Sequence, residues 1–588
     1  MTSAEELRKT IVGTVFANGG HLASSLGAVE LSMALADVFE PQKDRIVWDV
    51  GHQAYAWKIL TGRGDRFGTL RKLDGLAPFL LPKESAADAA VSGHAGSALS
   101  VAAGLAAARD ARGTGEHVVA VVGDASFANG HSFEALNNCH AATRKVILVL
   151  NDNRMSISRP VGALSALLAR LLTNVRYNRM KCATERVGHR LGLTLFREFY
   201  HKVESRIKGL FLGSRFFEQF GLRYIGPVDG HDLRALRAAL TVAKEDKRSV
   251  VVHVYTTKGK GYPPAEKDPA KYHGVSASTS SLRLSWSDAF GEALRAAAEA
   301  DRRVVALTAG MRDGTGLADF ARTFPGRFYD VGIAEGHMVS FAAGLAAGGL
   351  RPVVAVYSTF LQRAIDQVMH DVCIANLPVV FCVDRAGAVG RDGVTHQGLY
   401  DVAMLRTLPN LTICQPKDAE DLKALLDEAL RRNGPTVIRY PRGAAPEKVE
   451  TKGGGGQGNA FLHSPPPPRS STSCSIWATG DQLEKAYAVA AKIPGAEVTF
   501  ARYLKPFDAA LLKRQREAGR LVVSIENGAV AGGFGEAIGA DLKFGWPDAF
   551  IPHGSVPELE ARYGFDVDSI VSALQSQISN LHPSPLNL

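Results

Sequence analysis

The sequence predicts an α/β protein of three domains built on mainly parallel sheets, and three observations carry that reading. Short apolar runs ending in polar residues alternate with amphipathic stretches along most of the 588 residues, the pattern of parallel strands joined by crossover helices. Near residue 280 the polar run SASTSSLRLS interrupts the alternation, as an inter-domain linker does. From Thr451 to Ser473 the chain reads TKGGGGQGNAFLHSPPPPRSSTS, too rich in glycine, proline and serine to build much core. At roughly 150 residues per domain the length allows about four domains. The two breaks argue for three, at 1–280, 281–445 and 474–588, with 446–473 a flexible linker.

In the first domain the apolar run His117 to Val122 closes on Gly123-Asp124, and Lys145 to Leu150 closes on Asn151-Asp152-Asn153. The amphipathic stretch His131 to Ala142 between them reads as the crossover helix of a β-α-β unit. A right-handed crossover places both strand ends on one sheet edge, where open α/β sheets bind ligands. A helix-rich insertion from Pro160 to Phe220 follows, then a strand at Ser249 to Tyr255. The second domain starts near Trp286, with strands at Val304 to Thr308, Pro352 to Val356, Val379 to Val383 and Thr436 to Tyr440. The third has strands at Glu497 to Phe500 and Leu521 to Ile525, with no dense set of polar catalytic types.

Composition is that of a soluble enzyme. The net charge of +9 is spread along the chain, and no basic run or aromatic-interleaved patch points to nucleic acid. Six cysteines without CxxC spacing, Cys139, Cys182, Cys373, Cys382, Cys414 and Cys474, read as thiols of a reducing compartment rather than zinc ligands. The start MTSAEELRKT has neither an apolar signal core nor an Arg/Ser-rich transit pattern, and no stretch is apolar enough to span a bilayer. The expectation is a cytoplasmic protein without membrane contact.

Asp124 and Asn153 are hard oxygen donors that suit magnesium, whose octahedral shell is usually completed by water and phosphate oxygens. Alone, Asp124 reads as well as a helix cap. In DVGIAEGHMVSFAAGLAAGG, Asp330 to Gly349, one acid, Glu335, opens a small-residue helix in almost wholly apolar surroundings. Desolvation there raises the carboxyl pKa and favours a form that donates a hydrogen bond to a ring nitrogen. Thiamine diphosphate needs such a group at its aminopyrimidine.

Longer segments sharpen the reading: WDVGHQAYAWKILTGR (Trp48 to Arg63), GPVDGHD (Gly226 to Asp232), TTKGKGYPPAEKDP (Thr256 to Pro269), YSTFLQRAIDQVMHDV (Tyr357 to Val372), DRAGAVGRDGVTHQG (Asp384 to Gly398) and RYPRG (Arg439 to Gly443). From about Leu7 to Asp566 the chain resembles the transketolase-like thiamine diphosphate enzymes, and among them the 1-deoxy-D-xylulose-5-phosphate synthase family. The resemblance implies a transketolase-like fold, a homodimer, and a reaction in which pyruvate and glyceraldehyde 3-phosphate condense with loss of carbon dioxide. Its product feeds isoprenoid, thiamine and pyridoxal phosphate synthesis. It also implies roles for residues at matching positions. Asp124, Asn153 and the backbone carbonyl of Met155 would hold magnesium. His52, Gly93, His94, Ala95, Ala125, Ser126, Lys258 and Tyr262 would surround the diphosphate and thiazolium, with Glu335 and Phe360 at the pyrimidine. Tyr357, Arg385, His396 and Arg442 would cradle the substrate phosphate, and Asp392 would take a substrate hydroxyl. His52, His94, His273 and His396 are the proton carriers on offer, and His52, His396 and Glu335 are the catalytic candidates.

Two positions depart from the family pattern. The usual GDG is Gly123-Asp124-Ala125, and the usual glutamine after the acid is Gly336. If the loop needs a glycine conformation, Ala125 costs roughly 1 kcal/mol in strain and weakens cofactor binding. Another transketolase-type enzyme, a 2-oxo acid dehydrogenase component, or a cofactor-binding descendant without turnover would use the same metal loop. The joint retention of Asp124, Asn153 and Glu335 speaks against the last.

Overall fold

The computed structural model describes residues 2–153, 212–276, 284–446, 448–449, 461–462 and 474–581. Met155, Cys182 and most of the expected 160–220 insertion lie outside them, as does most of the expected linker. The chain divides into two compact units, 1–71 with 75–278, and 72–74 with 279–588.

The first unit holds a wholly parallel sheet in the order β1-β2-β3-β5-β4. Its strands are β1 (Arg45–Trp48), β2 (Val118–Gly123), β3 (Ile147–Asp152), β4 (Arg223–Asp229) and β5 (Val250–Tyr255). Both faces are covered, so the central strands are buried on alternate residues in both directions. Val119, Val121, Ile147 and Val149 pack with Leu31, Leu35, Leu236 and Leu240. Ala120, Val122, Leu148 and Leu150 pack with Leu99, Ala102 and Leu136 on the other face. The crossover from β2 to β3 is the helix Gly130–Ala142, started by the Asn129 side chain, which accepts the His131 N–H.

The second unit contains two sheets. A seven-stranded one runs β15-β10-β11-β9-β8-β6-β7, from β6 (Val304–Thr308), β7 (Phe328–Asp330), β8 (Arg351–Tyr357), β9 (Val380–Asp384), β10 (Thr412–Cys414), β11 (Thr436–Arg439) and β15 (Tyr503–Lys505). All pairs are parallel except β10 with β15, which arrives from the third sequence region. A five-stranded sheet runs β12-β14-β13-β16-β17, from β12 (Phe461–Leu462), β13 (Cys474–Thr479), β14 (Glu497–Ala501), β16 (Leu521–Ala529) and β17 (Leu542–Trp546). Within the stretch expected to be only linker, the backbone of Phe461–Leu462 pairs antiparallel with β14. Trp477, Ala501 and Val522 share a core with Val305, Val354 and Phe381, which joins the two sheets. Arg439, 1% exposed, crosses the same join: its Nε donates to Asp401 Oδ2 at 2.9 Å, one Nη donates to Gln415 at 2.6 Å and the other to the Asn527 carbonyl at 2.9 Å.

Candidate active site

The first unit presents its polar groups at the C-terminal ends of β1, β2 and β3. Gly123 is the Cα partner of Asn151, so Asp124 and the Asn151 to Asn153 loop leave adjacent strands side by side. Asp124, 4% exposed, begins a one-turn helix, Asp124–Phe127. Burial, then the neighbouring Asp152 charge, push its carboxyl up to about 7, and Lys258 pulls the other way. Lys258, itself buried, is brought down to about 8, with Asp124 opposing. The loop is clamped from below. Asn151 donates to Gln53 Oε1 at 2.7 Å and accepts from Thr256 Oγ1 at 2.7 Å. His253 Nε2 lies 3.2 Å from Asp152 Oδ2, and its Nδ1 is 2.8 Å from the Tyr224 hydroxyl.

Beside this edge His21, His52 and His273 form a cluster with ring centroids 5.5 to 6.0 Å apart. Desolvation first and the Lys258 charge second lower the His52 pKa to about 3, and His273 is driven well below its ordinary value in the same way. Gly93, His94 and Ala95 sit on a loop held by Asp49, whose carboxylate accepts the Gly96 and Ala98 N–H groups at 2.9 and 3.1 Å. Ser126 is buried in the helical turn after Asp124. Tyr262 is less involved: its ring packs edge-on against Phe16 and Tyr272.

Ala125 overturns an expectation. It is the second residue of the right-handed turn begun by Asp124, and its φ is not positive. The backbone here never enters the region where a Cβ is penalised, so the strain expected of alanine is absent.

The donors fit a magnesium diphosphate. They are oxygen groups on neighbouring strand ends, the chemistry magnesium selects, and Gln53 Nε2 and His52 Nδ1 are buried polar atoms with no hydrogen-bond partner among the described residues. The third expected ligand, the Met155 carbonyl, lies outside the described residues.

In the second unit Glu335 opens the helix Glu335–Ala347 and is 4% exposed. Its own segment predicts almost wholly apolar surroundings, but Arg363 Nη1 lies 3.8 Å from its Oε2. Burial raises the carboxyl pKa and Arg363 opposes the rise. Gly336 packs on the Gln367 side chain, whose oxygen an added Cβ would approach to 3.2 Å.

Tyr357, Arg385 and Arg442 follow from β8, β9 and β11, three adjacent parallel strands. The Arg385 guanidinium lies 3.8 Å from the Tyr357 ring centroid, a cation stacked on an aromatic face. Phe360 stacks on Tyr357 with centroids 5.8 Å apart and meets the His396 ring edge-on at 5.6 Å. His396 Nδ1 is 3.0 Å from Thr395 Oγ1. Arg442 donates from Nη1 to Asp392 Oδ2 at 2.7 Å, so this arginine and the expected hydroxyl-binding acid form one pair.

Residues 1–256 match the family model described as 1-deoxy-D-xylulose-5-phosphate synthase. Residues 283–448 match the pyrimidine binding domain of transketolase and 467–570 its C-terminal domain. A protein named 1-deoxy-D-xylulose-5-phosphate synthase 1 from Geobacter metallireducens is 44% identical over 609 residues, covering 97% of this chain and 95% of the relative. The chain belongs to the 1-deoxy-D-xylulose-5-phosphate synthase family. It is thus a transketolase-type transferase. A synthase from Desulforudis audaxviator is 43% identical over 98% of this chain and 94% of its own. A solved transketolase from Campylobacter jejuni aligns over 97% of this chain and 98% of its own, at 18% identity and a TM-score of 0.46.

Several residues around the candidate site were not singled out from sequence. Gln53 and Asp49 lie within the quoted WDVGHQ segment, where an acid at a strand end and an amide beside His52 were signals available to be read. Arg363, His253 and Thr256 carry no local signal, because their partners lie on other elements.

Proposed function

We propose that this chain condenses pyruvate with D-glyceraldehyde 3-phosphate, with loss of carbon dioxide, to give 1-deoxy-D-xylulose 5-phosphate, the first step of the non-mevalonate route to isoprenoids. Identity of 44% to a relative of that name across 97% of the chain carries the reading. The clustering of Tyr357, Arg385 and Arg442 on one sheet edge supports a phosphorylated substrate, since guanidinium groups match phosphate oxygens through paired hydrogen bonds.

Thiamine diphosphate, when bound, supplies the electron sink for decarboxylation. Asp124, Asn153 and the Met155 carbonyl would hold magnesium, and His94, Ala95, Ser126 and Lys258 would enclose the diphosphate, with Gly93 letting the chain approach. Glu335 would hold a proton toward the pyrimidine ring, a form that its desolvation favours. His52, kept neutral by burial and Lys258, would donate a hydrogen bond to a developing oxyanion, and His396 would move a proton at the aldehyde end. Arg385 and Arg442 anchor the substrate phosphate, and Asp392 takes a hydroxyl.

We place the protein in the cytoplasm as a homodimer. The five described cysteines are buried and free, which suits a reducing compartment. Ile374 and Met369, 69% and 44% exposed, offer apolar surface to a second copy. The decisive experiment supplies both substrates, thiamine diphosphate and magnesium, and identifies the product by mass and NMR. Asp124→Asn should remove the magnesium dependence of cofactor binding, and gel filtration should return twice the chain mass. Formation of a ketose without decarboxylation would reject the assignment.

A further inference from the structure

We propose that Gly314 is a positioning residue that sets specificity: its missing side chain lets Tyr357 hold Arg385 where the aldehyde's phosphate is read. The inference rests on the reading of Arg385 as a phosphate anchor and extends it to a residue that touches no substrate.

Arg385 follows β9 with φ 57°, a left-handed conformation that side-chain-bearing residues adopt sparingly. The backbone thus aims the side chain at one place, and the Tyr357 ring lies there, 3.8 Å from the guanidinium carbon. The ring in turn is set by what stands behind its hydroxyl. A Cβ built on Gly314 would lie 1.7 Å from the Tyr357 oxygen, 3.0 Å from its Cζ and 3.7 Å from Arg385 Nη2. No such contact can be tolerated, so either the loop or the tyrosine would move.

The loop has nowhere to go. Thr315, fully buried, donates both its N–H and its hydroxyl to the Met311 carbonyl at 2.9 Å, and the Leu317 N–H donates to Arg312 at 2.9 Å. Two residues on, Gly316 is pressed against the first turn of the helix Trp286–Ala300, where a Cβ would stand 2.0 Å from the Ser287 carbonyl. Gly314 itself does not have a positive φ. Alanine at 314 is therefore opposed chiefly by the Tyr357 hydroxyl at 1.7 Å, with the ring carbon that bears it at the tight limit of 3.0 Å, and the ring is what yields. Interiors pack too densely to absorb a methyl group at that distance. Arg385 then loses the face it stacks on.

The test is a double-mutant cycle between Gly314→Ala and Tyr357→Phe, read as KM for glyceraldehyde 3-phosphate, for unphosphorylated glyceraldehyde and for pyruvate. Gly314→Ala should raise KM for the phosphorylated aldehyde at least tenfold and leave the other two within twofold. Tyr357→Phe removes the oxygen that the new methyl strikes, so the double variant should be no worse than Tyr357→Phe alone. Equal losses for both aldehydes, an unchanged preference, or losses that multiply would each overturn the proposal. If Gly314→Ala does not fold, the double variant decides: it should fold and match Tyr357→Phe, and failure to do so counts against the idea. Arg385→Ala separates the two levels. If it leaves the phosphate preference intact, the anchor reading falls; if it abolishes the preference while Gly314→Ala does not, only the inference about Gly314 falls.

Discussion

Replacing Arg363 with methionine should make Glu335 easier to keep protonated. Burial pushes this carboxyl up, and the guanidinium 3.8 Å away pulls it back. Two unit charges at that distance interact by about 4 kcal/mol at an effective dielectric of 20 and about 1 kcal/mol in water. Arg363 is 20% exposed and Glu335 5%, which places the pair between these limits. Loss of the cation should therefore raise the Glu335 pKa further above its ordinary value. The sign follows from which form the cation favours: without it the carboxylate loses stabilisation and the acid gains range. The assay is hydrogen–deuterium exchange at C2 of bound thiamine diphosphate, quenched in acid and read by NMR across pH. Where exchange needs protonated Glu335, its alkaline fall should move to higher pH in Arg363→Met. Glu335→Ala should fold yet slow exchange at least about a hundredfold, the lower scale of acid–base effects. An alkaline limb that stays in place, or near-normal exchange in Glu335→Ala, would refute the reasoning.

Three further outcomes follow from the same structure. Burial raises Glu526 to about 7 despite hydrogen bonds from the Phe534 and Gly535 N–H groups at 2.7 Å; the stability this gives is full below the unfolded value near 4.5 and is lost as pH rises through about 7. The thermal midpoint of the parent should therefore fall between about pH 5 and 8 relative to Glu526→Gln, and parallel calorimetric curves would contradict it. Ala125→Gly, measured by calorimetry at saturating magnesium, should leave thiamine diphosphate affinity unchanged or weaker, because glycine in a right-handed turn relieves nothing; tighter binding would show that the bound loop takes a different backbone. Arg439→Leu strands the Asp401 carboxylate, 2% exposed, and should cost about 3 to 5 kcal/mol in denaturant unfolding, part of which Asp401→Leu in the same chain should restore.

How far the fold could be read in advance depended on what builds each strand. β2, β3, β6 and β9 are buried on both faces, so they stand out as unbroken apolar runs and were placed within a few residues of their observed ends. β4 is an edge strand, exposed at Arg223 and only partly buried beyond it, and shows no such run. β10 and β15 have three residues each and pair with one another, although 88 residues lie between Cys414 and Tyr503. Pairing of that kind is a property of the assembled sheet and leaves no periodicity to detect.

The same distinction holds at the site. Asp124, Glu335, Arg385 and Arg442 follow strand ends, and their charge is local information, so residue type and position sufficed to nominate them. What aims them is non-local: Gln53 reaches Asn151, Arg363 reaches Glu335, and the space beside Tyr357 is kept by Gly314. A glycine is the hardest of these to find, because the same letter serves a turn, a positive φ or a close contact. At position 125 a conformational argument from the family's glycine fails, since the backbone there is an ordinary helical turn. At position 314 the backbone is equally ordinary, yet a methyl group would meet an oxygen at 1.7 Å. The two positions show that a glycine's role is decided by the atoms facing its missing Cβ as much as by its dihedrals.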